Sequence, residues 1–495
     1  MNSSLFIGAT GLKGLSQGMG VIGNNLANVS TYGFKQQNIQ YSDLIYSSQG
    51  NIGSGWGSQE DSFVTTGELG HGMAVDSVRS FFFQGGIEST NTVSDLALNG
   101  KGFFQVTNEA GEEYYTRTGD FILDKEGYMT TPMGMNLMGY QYDASGNRGA
   151  LAKIQVDRFS TIPAKATSSV NFQMNLGSVK DNTVDDENPY FALLSSYNAT
   201  AKPPLASDAA SYQQSVTVYD AEGKKHTLTA YFDGAPSDDN SKRQVEFLIA
   251  LDPGTAGSEN PGDGLVMSGV LTFDAAGKLQ GMSAFVPGEA GSKDLSQWQA
   301  ATAVGGGFQC MVNGSPVTID FGLGNATAAG GGAATAAEVG TDATLLGGLT
   351  GEALPSSTTA YAGNPTGMIS QDGYSEGQMS SYDIDENGDI IGYYSNGRSQ
   401  KLWQIPVCRF TSEDGLYRQG DNLYSATEDC GNMTMGVAGT ENFGTIHSYS
   451  LEQSNVDMAM EMVNLIVTQR GFQSNSKVIT TADEMLRKAM EIKRT

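Results

Sequence analysis

Two rows of apolar residues with coiled-coil spacing, one at each end of the chain, most constrain the fold. The N-terminal row comprises Leu5, Leu12, Leu15, Met19, Ile22, Leu26 and Val29. The C-terminal row comprises Met458, Met462, Leu465, Phe472, Ile479 and Leu486. Intervals of three, four and seven residues predict a helix with one apolar seam at each end of the chain. We expect these residues to form an inner packing layer.

The two helices differ in intrinsic stability. Six glycines interrupt the N-terminal row, and each costs up to about 1 kcal/mol relative to alanine, so this helix should order only when packed. Ser454 and Asp457 have capping-box spacing ahead of the C-terminal row, which indicates a well-defined helix start. Periodicity alone leaves two arrangements open, a helical hairpin within a monomer and packing between copies of the chain.

The region between the two rows reads as β-structure. Aspartate first and glycine fourth is type I turn chemistry and marks hairpin tips. Five such turns begin at Asp124, Asp143, Asp220, Asp274 and Asp385. Alternating stretches such as SVTVYD before Asp220 have the period of half-buried strands. We predict a mainly β chain with terminal helices, in which the Gly/Ala-rich stretch 322–348 is an exposed loop or a small insertion.

Charge limits the partners of this middle region. The chain has a net charge of −26, and 20 of its 28 basic residues and 48 of its 54 acidic residues lie between positions 41 and 450. An acidic surface repels phosphate backbones, so we expect neither nucleic acid nor an anionic membrane as a partner. The chain also lacks a membrane-length apolar run and a secretory signal pattern, so any export should use another route.

The sequence contains no strong catalytic or metal-binding motif. Three cysteines and three histidines are widely scattered, and Ser16 of GLSQG lies inside the helical row rather than after a strand. Residues 383–394 match half of an EF-hand loop, but Tyr394 occupies the position of the bidentate glutamate, and the stretch favours a β-hairpin. We therefore predict no enzyme activity, no cofactor and no metal site, and ion binding at Asp383–Tyr394 stays open.

Several stretches carry a family resemblance. Residues 24–35, NNLANVSTYGFK, resemble the N-terminal signature of bacterial flagellar rod and hook proteins, with Asn25, Asn28, Thr31, Gly33 and Phe34 in the signature positions. Residues 81–106, 114–140 and 454–490 also resemble that family, and residues 382–410 and 420–431 resemble its hook members specifically. Residues 286–365 match the hook pattern only weakly.

The resemblance implies a three-layer subunit. Paired terminal helices would form a polymerisation core, joined to an inner β domain that is discontinuous in sequence and to an outer β domain. The expected boundaries are 1–66 and 448–495 for the core, 67–165 and 365–447 for the inner domain, and 166–364 for the outer domain.

The resemblance also implies a function. Many copies would form a curved, flexible tube that transmits torque from the flagellar rod to the filament. The expected partners are further copies, rod, hook cap and hook–filament junction proteins, and the type III export apparatus, which would deliver the chain outside the cell without a cleaved signal peptide. A distal rod subunit is disfavoured by the large middle region; a secreted acidic β-rich enzyme or adhesin is the alternative of another class.

Overall fold

The computed structural model describes residues 2–44, 47–48, 68–143, 145–177, 179–237, 242–252, 260–329, 332–353, 358–359, 367–440 and 442–494. The chain divides into two compact units. The first unit combines Met1–Ser160 with Met379–Thr495, and the second is Thr161–Gln378. The predicted fold class, mainly β with a helix at each end, is confirmed.

Both terminal helices belong to the first unit. The N-terminal helix spans Asn2–Ala27 and the C-terminal helix spans Met458–Arg494. Asp457 caps the C-terminal helix, because its Oδ1 accepts hydrogen bonds from the backbone N–H groups of Ala459 at 2.8 Å and Met460 at 3.1 Å. The predicted capping box at Ser454 is therefore wrong, since Ser454 lies three residues before the cap.

The strands of the first unit form its β domain. Before the second unit they are β1 (Gln37–Asp43), β2 (Ser47–Ser48), β3 (Glu68–Leu69), β4 (Met73–Ser80), β5 (Ile87–Ser89), β6 (Leu96–Asn99), β7 (Phe104–Thr107), β8 (Glu113–Thr116), β9 (Ile122–Leu123), β10 (Met129–Thr130), β11 (Asn136–Tyr142) and β12 (Arg148–Lys153). After it they are β28 (Asp389–Tyr394), β29 (Ser399–Gln404), β30 (Pro406–Phe410), β31 (Tyr417–Gly420), β32 (Leu423–Ser425), β33 (Met433–Val437), β34 (Thr445–Ser448) and β35 (Ser450–Glu452).

Strands from the two halves of the first unit pair with each other. The largest sheet of this unit follows the order β28, β29, β11, β7, β8, β32 and β31, so three early strands lie between two pairs of late strands. Two short antiparallel pairs, β34 with β6 and β35 with β5, also join the halves. The buried core between these strands includes Leu96, Phe104, Leu137, Ile390 and Trp403. This β domain is completed only when both halves of the sequence are present.

The strands of the second unit form two sheets. They are β13 (Thr161–Ile162), β14 (Ser169–Met174), β15 (Tyr212–Tyr219), β16 (Lys225–Ala235), β17 (Arg243–Leu251), β18 (Leu265–Phe273), β19 (Leu279–Pro287), β20 (Trp298–Ala300), β21 (Thr302–Val304), β22 (Gly307–Val312), β23 (Ser315–Asp320), β24 (Leu323–Ala329), β25 (Gly348–Ala353), β26 (Gly367–Gln371) and the start of β27 (Gly377–Ile384). Two short helices span Ala192–Ser196 and Ala336–Val339.

One sheet of the second unit has eight strands and the other has five. The eight-stranded sheet follows the order β15, β16, β17, β18, β19, β25 and β24, with β20 beside β19, and the five-stranded sheet follows β21, β22, β23, β14 and β26. The two sheets share a core in which Phe232 and Phe247 contact Phe321. The opposite face of β17 is also buried, because Leu248 and Ala250 pack with the helix Ala192–Ser196. Burial on both faces explains the almost continuous apolar run of β17.

The five Asp-x-x-Gly turns are hairpin tips, as predicted. At each one the glycine N–H donates to the carbonyl oxygen of the aspartate, and the glycine has a φ between +79° and +84°. The turn at Asp385 joins β27 to β28, so the half-matched EF-hand stretch forms a β-hairpin.

The Gly/Ala-rich stretch differs from its prediction as an exposed loop. Its described parts form β24, the helix Ala336–Val339 and the start of β25, and β24 pairs with β25 at the edge of the eight-stranded sheet. Leu323, Ala336 and Leu349 are buried there. Small side chains permit this close packing, which composition alone does not reveal. No helix in the described part of the chain is long and apolar enough to cross a membrane.

Candidate assembly site at the paired termini

The terminal helices pack against each other along a glycine face. A Cβ atom added to Gly8 would lie 2.8 Å from Cγ1 of Ile479, and one added to Gly11 would lie 2.9 Å from Nδ2 of Asn475. Leu15 meets Gly471 further along. As residue numbers increase along the N-terminal helix, the numbers of the residues that they contact in the C-terminal helix decrease, so the two helices are antiparallel. Glycine at these positions lets the two backbones approach closely.

A neighbouring glycine pair of the N-terminal helix packs on the β1–β4 ribbon. A Cβ atom at Gly14 would lie 2.4 Å from Cε of Met73, and one at Gly18 would lie 2.2 Å from the hydroxyl oxygen of Tyr41. The N-terminal helix is thus enclosed by the C-terminal helix on one side and by the ribbon on another.

The predicted seam residues are covered only in part, although Leu15 and Ile479 take part directly in the helix contact. Leu5, Leu12, Leu15, Met19, Ile22 and Leu26 are half-buried in the N-terminal helix, and Val29 is half-buried in the turn after it. Leu465, Phe472, Ile479 and Leu486 are half-buried in the C-terminal helix. Met458 and Met462 are 50% and 42% exposed. A single chain therefore covers the seam only in part.

The C-terminal helix exposes further apolar side chains that its partner helix does not cover. Each of these side chains is at least 44% exposed: Met460, Val463, Ile466, Val467, Val478, Met485, Met490 and Ile492. Many large apolar side chains exposed on one helix indicate an interaction surface.

The first signature residue, Asn25, ties the two helices to the ribbon. Its side chain is buried, and it exchanges two hydrogen bonds with the backbone of Gln37: Nδ2 donates to the Gln37 carbonyl at 2.7 Å, and Oδ1 accepts from the Gln37 N–H at 2.9 Å. Nδ2 also donates to Oε1 of Glu461 at 3.2 Å, and Gln36 Nε2 donates to the same oxygen at 2.6 Å. Asparagine is suited to this position because it has both a donor and an acceptor.

The next signature residues shape the turn that follows the helix. Thr31 Oγ1 donates to Asn28 Oδ1 at 3.1 Å, and Asn28 Nδ2 donates back to the carbonyl of Asn24 at 2.9 Å. Gly33 has φ +68°, and a Cβ atom there would lie 2.8 Å from the backbone nitrogen of Thr118. Both the backbone conformation and the close approach require glycine.

Phe34 and Lys35 end the signature inside the β domain. Phe34 is buried below the guanidinium of Arg418, whose Cζ lies 5.8 Å from the ring centroid. Lys35 Nζ lies 2.7 Å from Oε1 of Glu452, and both side chains are fully buried. Lys35 also donates to the carbonyl of Phe83 at 2.9 Å, so its ammonium has two acceptors.

A second cation, Arg117, approaches the same carboxylate. Its Nη1 lies 3.6 Å from Oε2 of Glu452, and its Nη2 donates to the carbonyl of Gly100 at 2.6 Å. Burial lowers the pKa of Lys35, and the attraction of Glu452 opposes that shift. The Gly85 N–H donates to Oε1 of Glu452 at 2.9 Å. Glu452 is thus the centre of a buried polar cluster that joins the N-terminal signature to the last strand before the C-terminal helix.

The sequence reasoning did not single out Lys35, Arg117, Glu452 or Glu461. Lys35 carried one usable signal, since it is one of two charged residues in the first 40 positions and ends the signature directly. Glu452 and Glu461 had no local signal, because their partners lie more than 400 residues away. Among the described residues, no group of three or more His, Cys, Asp or Glu side chains could hold a metal ion.

Three family models match separate parts of the chain. "Flagellar hook protein FlgE/F/G D1 domain" matches residues 97–179, "Flagellar basal body protein FlaE D2 domain" matches residues 186–374, and "Flagellar basal body rod FlgEFG protein C-terminal" matches residues 447–492. The third match covers Glu452 and nearly all of the C-terminal helix.

Similar proteins extend over the whole chain. The flagellar hook protein FlgE of Borreliella burgdorferi is 30% identical over 505 residues, which cover 100% of both chains. This chain belongs to the flagellar hook protein family. The FlgE hook proteins of Treponema pallidum and Escherichia coli are each 29% identical and cover 100% and 96% of both chains, respectively. The crystal structure of Helicobacter pylori flagellar hook protein FlgE2 covers 74% of this chain and 100% of its own, with 15% identity and a TM-score of 0.47.

Proposed function

We propose that this member of the hook protein family is a structural subunit whose copies assemble through the paired terminal helices into the curved, flexible tube of a bacterial flagellar hook. The observation that carries this proposal is the C-terminal helix, whose apolar side chains are exposed in a single chain on faces that the N-terminal helix does not cover. Fully burying one such side chain stabilises by about 1.5–3 kcal/mol, so several buried together can drive association.

The register of the helix pair adds a second argument. Gly8 lies beside Ile479 and Leu15 beside Gly471, so the first described residue, Asn2, lies level with about residue 485. The final turns up to Arg494, about ten residues or 15 Å, therefore extend beyond the N-terminal helix. Within one chain these turns, which include the 66% exposed Met490, lie beyond the described part of the N-terminal helix. A neighbouring copy supplies a partner helix for them in the proposed tube.

The finer features of the expected hook subunit are part of this proposal. They are torque transmission from rod to filament, contacts with rod, hook cap and junction proteins, delivery by the type III export apparatus, and a role without catalysis. The division into core, inner β domain and outer β domain is likewise proposed. It is supported by the second unit, which interrupts the first unit in sequence.

Electron microscopy of matched valine variants tests the proposal. Val467, 63% exposed, lies on the C-terminal helix, and Val184, 74% exposed, lies in the second unit. Neither Val→Asp change buries a charge in the folded monomer, so both variants should fold with unchanged circular dichroism. In ammonium sulfate, which strengthens apolar burial, the wild type and Val184→Asp should form tubes and Val467→Asp should not.

Each other outcome points to a different conclusion. Normal tubes from Val467→Asp would contradict helix-driven assembly. Straight tubes from the wild type would favour the distal rod alternative, whereas dispersed monomers in all three samples, even with preassembled tube fragments as seeds, would favour a secreted enzyme or adhesin.

A further inference from the structure

A cleft of about 560 Å³ lies entirely within the second unit, on one face of the eight-stranded sheet. We propose that this cleft binds a neutral polyhydroxy ligand of the size of one or two sugar rings. Its volume is within the range of about 300–1,000 Å³ that is usual for small-molecule sites. The proposal goes beyond assembly and does not depend on it.

The floor of the cleft is a row of residues that face each other across four strands. Gln244 of β17 is the register partner of Thr272 of β18, Thr272 is the partner of Gly281 of β19, and Gly281 is the partner of Thr350 of β25. Neighbouring strands are about 4.8 Å apart, so the row is about 14 Å long. Side chains at paired positions lie on the same face, which places the two threonines and the glutamine in one trough.

Gln244 contributes a buried carboxamide at one end of this row. Its side chain is 92% buried, since only 8% of the residue is exposed, and its Oε1 atom accepts no hydrogen bond within the described structure. A buried polar atom without a partner is costly and rare in native proteins. This oxygen is shielded from solvent, so a ligand hydroxyl or amide N–H would satisfy it only after the Gln244 side chain turns towards the trough.

The other lining residues define the chemistry of the ligand. Five lining residues carry hydroxyl groups, which can both donate and accept: Ser237, Thr272, Ser283, Thr344 and Thr350. Two carboxamides, of Gln244 and Gln280, add donors and acceptors. Lys242 is the one charged residue among the lining residues, and it is exposed. Such a lining suits a neutral ligand with many hydroxyls better than an anion or an apolar molecule.

Gly281 makes room for the ligand in the middle of the row. A Cβ atom added there would lie 3.3 Å from the Leu349 carbonyl oxygen and 3.7 Å from Cγ2 of Thr350. A valine at this position would need the neighbouring backbone of β25 to shift by a few tenths of an ångström, and it would narrow the trough. The glycine is consistent with a site that must stay open.

Ligand-observed saturation-transfer NMR on the full chain at low salt tests the proposal. The probes are glucose, galactose and N-acetylglucosamine, each at about 20 mM, a concentration suited to millimolar dissociation constants. At least one sugar should receive saturation from the wild type. Gln244→Met keeps the side-chain length but removes the amide, and Gly281→Val narrows the trough; each should weaken binding at least about tenfold.

A matched control and two contrary outcomes make the test decisive. Gln213→Met changes the same residue type on β15 of the same sheet, outside the cleft, and should bind like the wild type. No saturation of any of the three sugars by the wild type would overturn the proposal. Wild-type binding by both Gln244→Met and Gly281→Val would place the sugar elsewhere and would overturn it equally.

Discussion

The buried ion pair of Lys35 and Glu452 makes a quantitative prediction. Lys35→Met removes the ammonium but keeps most of the apolar side chain, so it leaves the Glu452 carboxylate buried without its 2.7 Å partner. Removing one member of a buried pair costs about 3–5 kcal/mol, because the remaining charge is uncompensated. Glu452 keeps the Gly85 N–H at 2.9 Å and Arg117 at 3.6 Å. These remaining contacts favour the lower end of the range, about 3 kcal/mol.

This loss should be specific to the first unit. For a large domain, about 3 kcal/mol lowers the melting temperature by roughly 6–12 °C. Calorimetry gives the change in melting temperature, and hydrogen exchange of the β6 and β7 amides shows that the first unit is the destabilised one. Amides of β17, in the second unit, should keep their protection.

Lys401→Met is the matched control. Lys401 pairs with the buried carboxylate of Asp389, but its own side chain is 52% exposed, and Asp389 also accepts hydrogen bonds from Tyr142 and Gln404. We expect a loss of about 1 kcal/mol or less. Equal losses for the two variants, or a loss below about 1 kcal/mol for Lys35→Met, would refute the reasoning that burial of the pair sets the cost.

Five further substitutions test other features. Asn25→Ala should cost about 1–3 kcal/mol in urea unfolding, because the partly buried backbone N–H and carbonyl of Gln37 lose their partner. An unchanged midpoint would contradict this role. Gly33→Ala should cost at least about 1–2 kcal/mol in the same assay, because its φ of +68° disfavours a side chain and the added Cβ would meet Thr118. Gly11→Leu should lower the thermal stability of the helix pair, because Gly11 is in close contact with Asn475. Gly20→Leu, at a position with nothing within 4 Å, should preserve or raise that stability. Equal changes in melting temperature for the two variants would argue against the close glycine contact. Burial raises the pKa of Glu246 well above its usual range. The folded second unit therefore holds this proton more tightly than the unfolded chain does, and its stability should fall as pH rises above about 4.5. Glu246→Gln should have a higher melting temperature than the wild type at pH 8 and the same melting temperature at pH 4.

Elements determined by local chemistry could be predicted from the sequence. The turn at Asp124 shows why: the aspartate Oδ1 accepts the N–H groups of residues 126 and 128, and Gly127 supplies the positive φ, all within five residues. The C-terminal helix could be predicted for the same reason, since its apolar period is local. The spacing of apolar residues by three, four and seven positions also predicts that both terminal helices are amphipathic.

Contacts between distant parts of the chain could not be predicted in this way. Lys35 and Glu452 are 417 positions apart, and nothing near either residue indicates the other. The glycines of the N-terminal helix were interpreted only as a source of weakness, although Gly8, Gly11 and Gly18 are its buried face. Their spacing of three and seven residues was the available signal. Periodicity among large apolar side chains does not reveal this face, because a close helix contact selects small residues.

The split of the first unit has a consequence for the order of folding. Its signature turn, its largest sheet and its helix pair all need residues from beyond Met379, so a nascent chain, even when all of the second unit has been made, cannot complete them. Closing loops of this length is slow, because the chain loses conformational entropy before any stabilising contact has formed. The N-terminal 160 residues can pair some of their own strands, such as β7 with β8, but the unit stays incomplete until the final 117 residues have been made. The Glu452 carboxylate is synthesised near the end of the chain. The buried ion pair with Lys35, which joins the two halves of the first unit, can therefore form only after nearly the whole chain has been made.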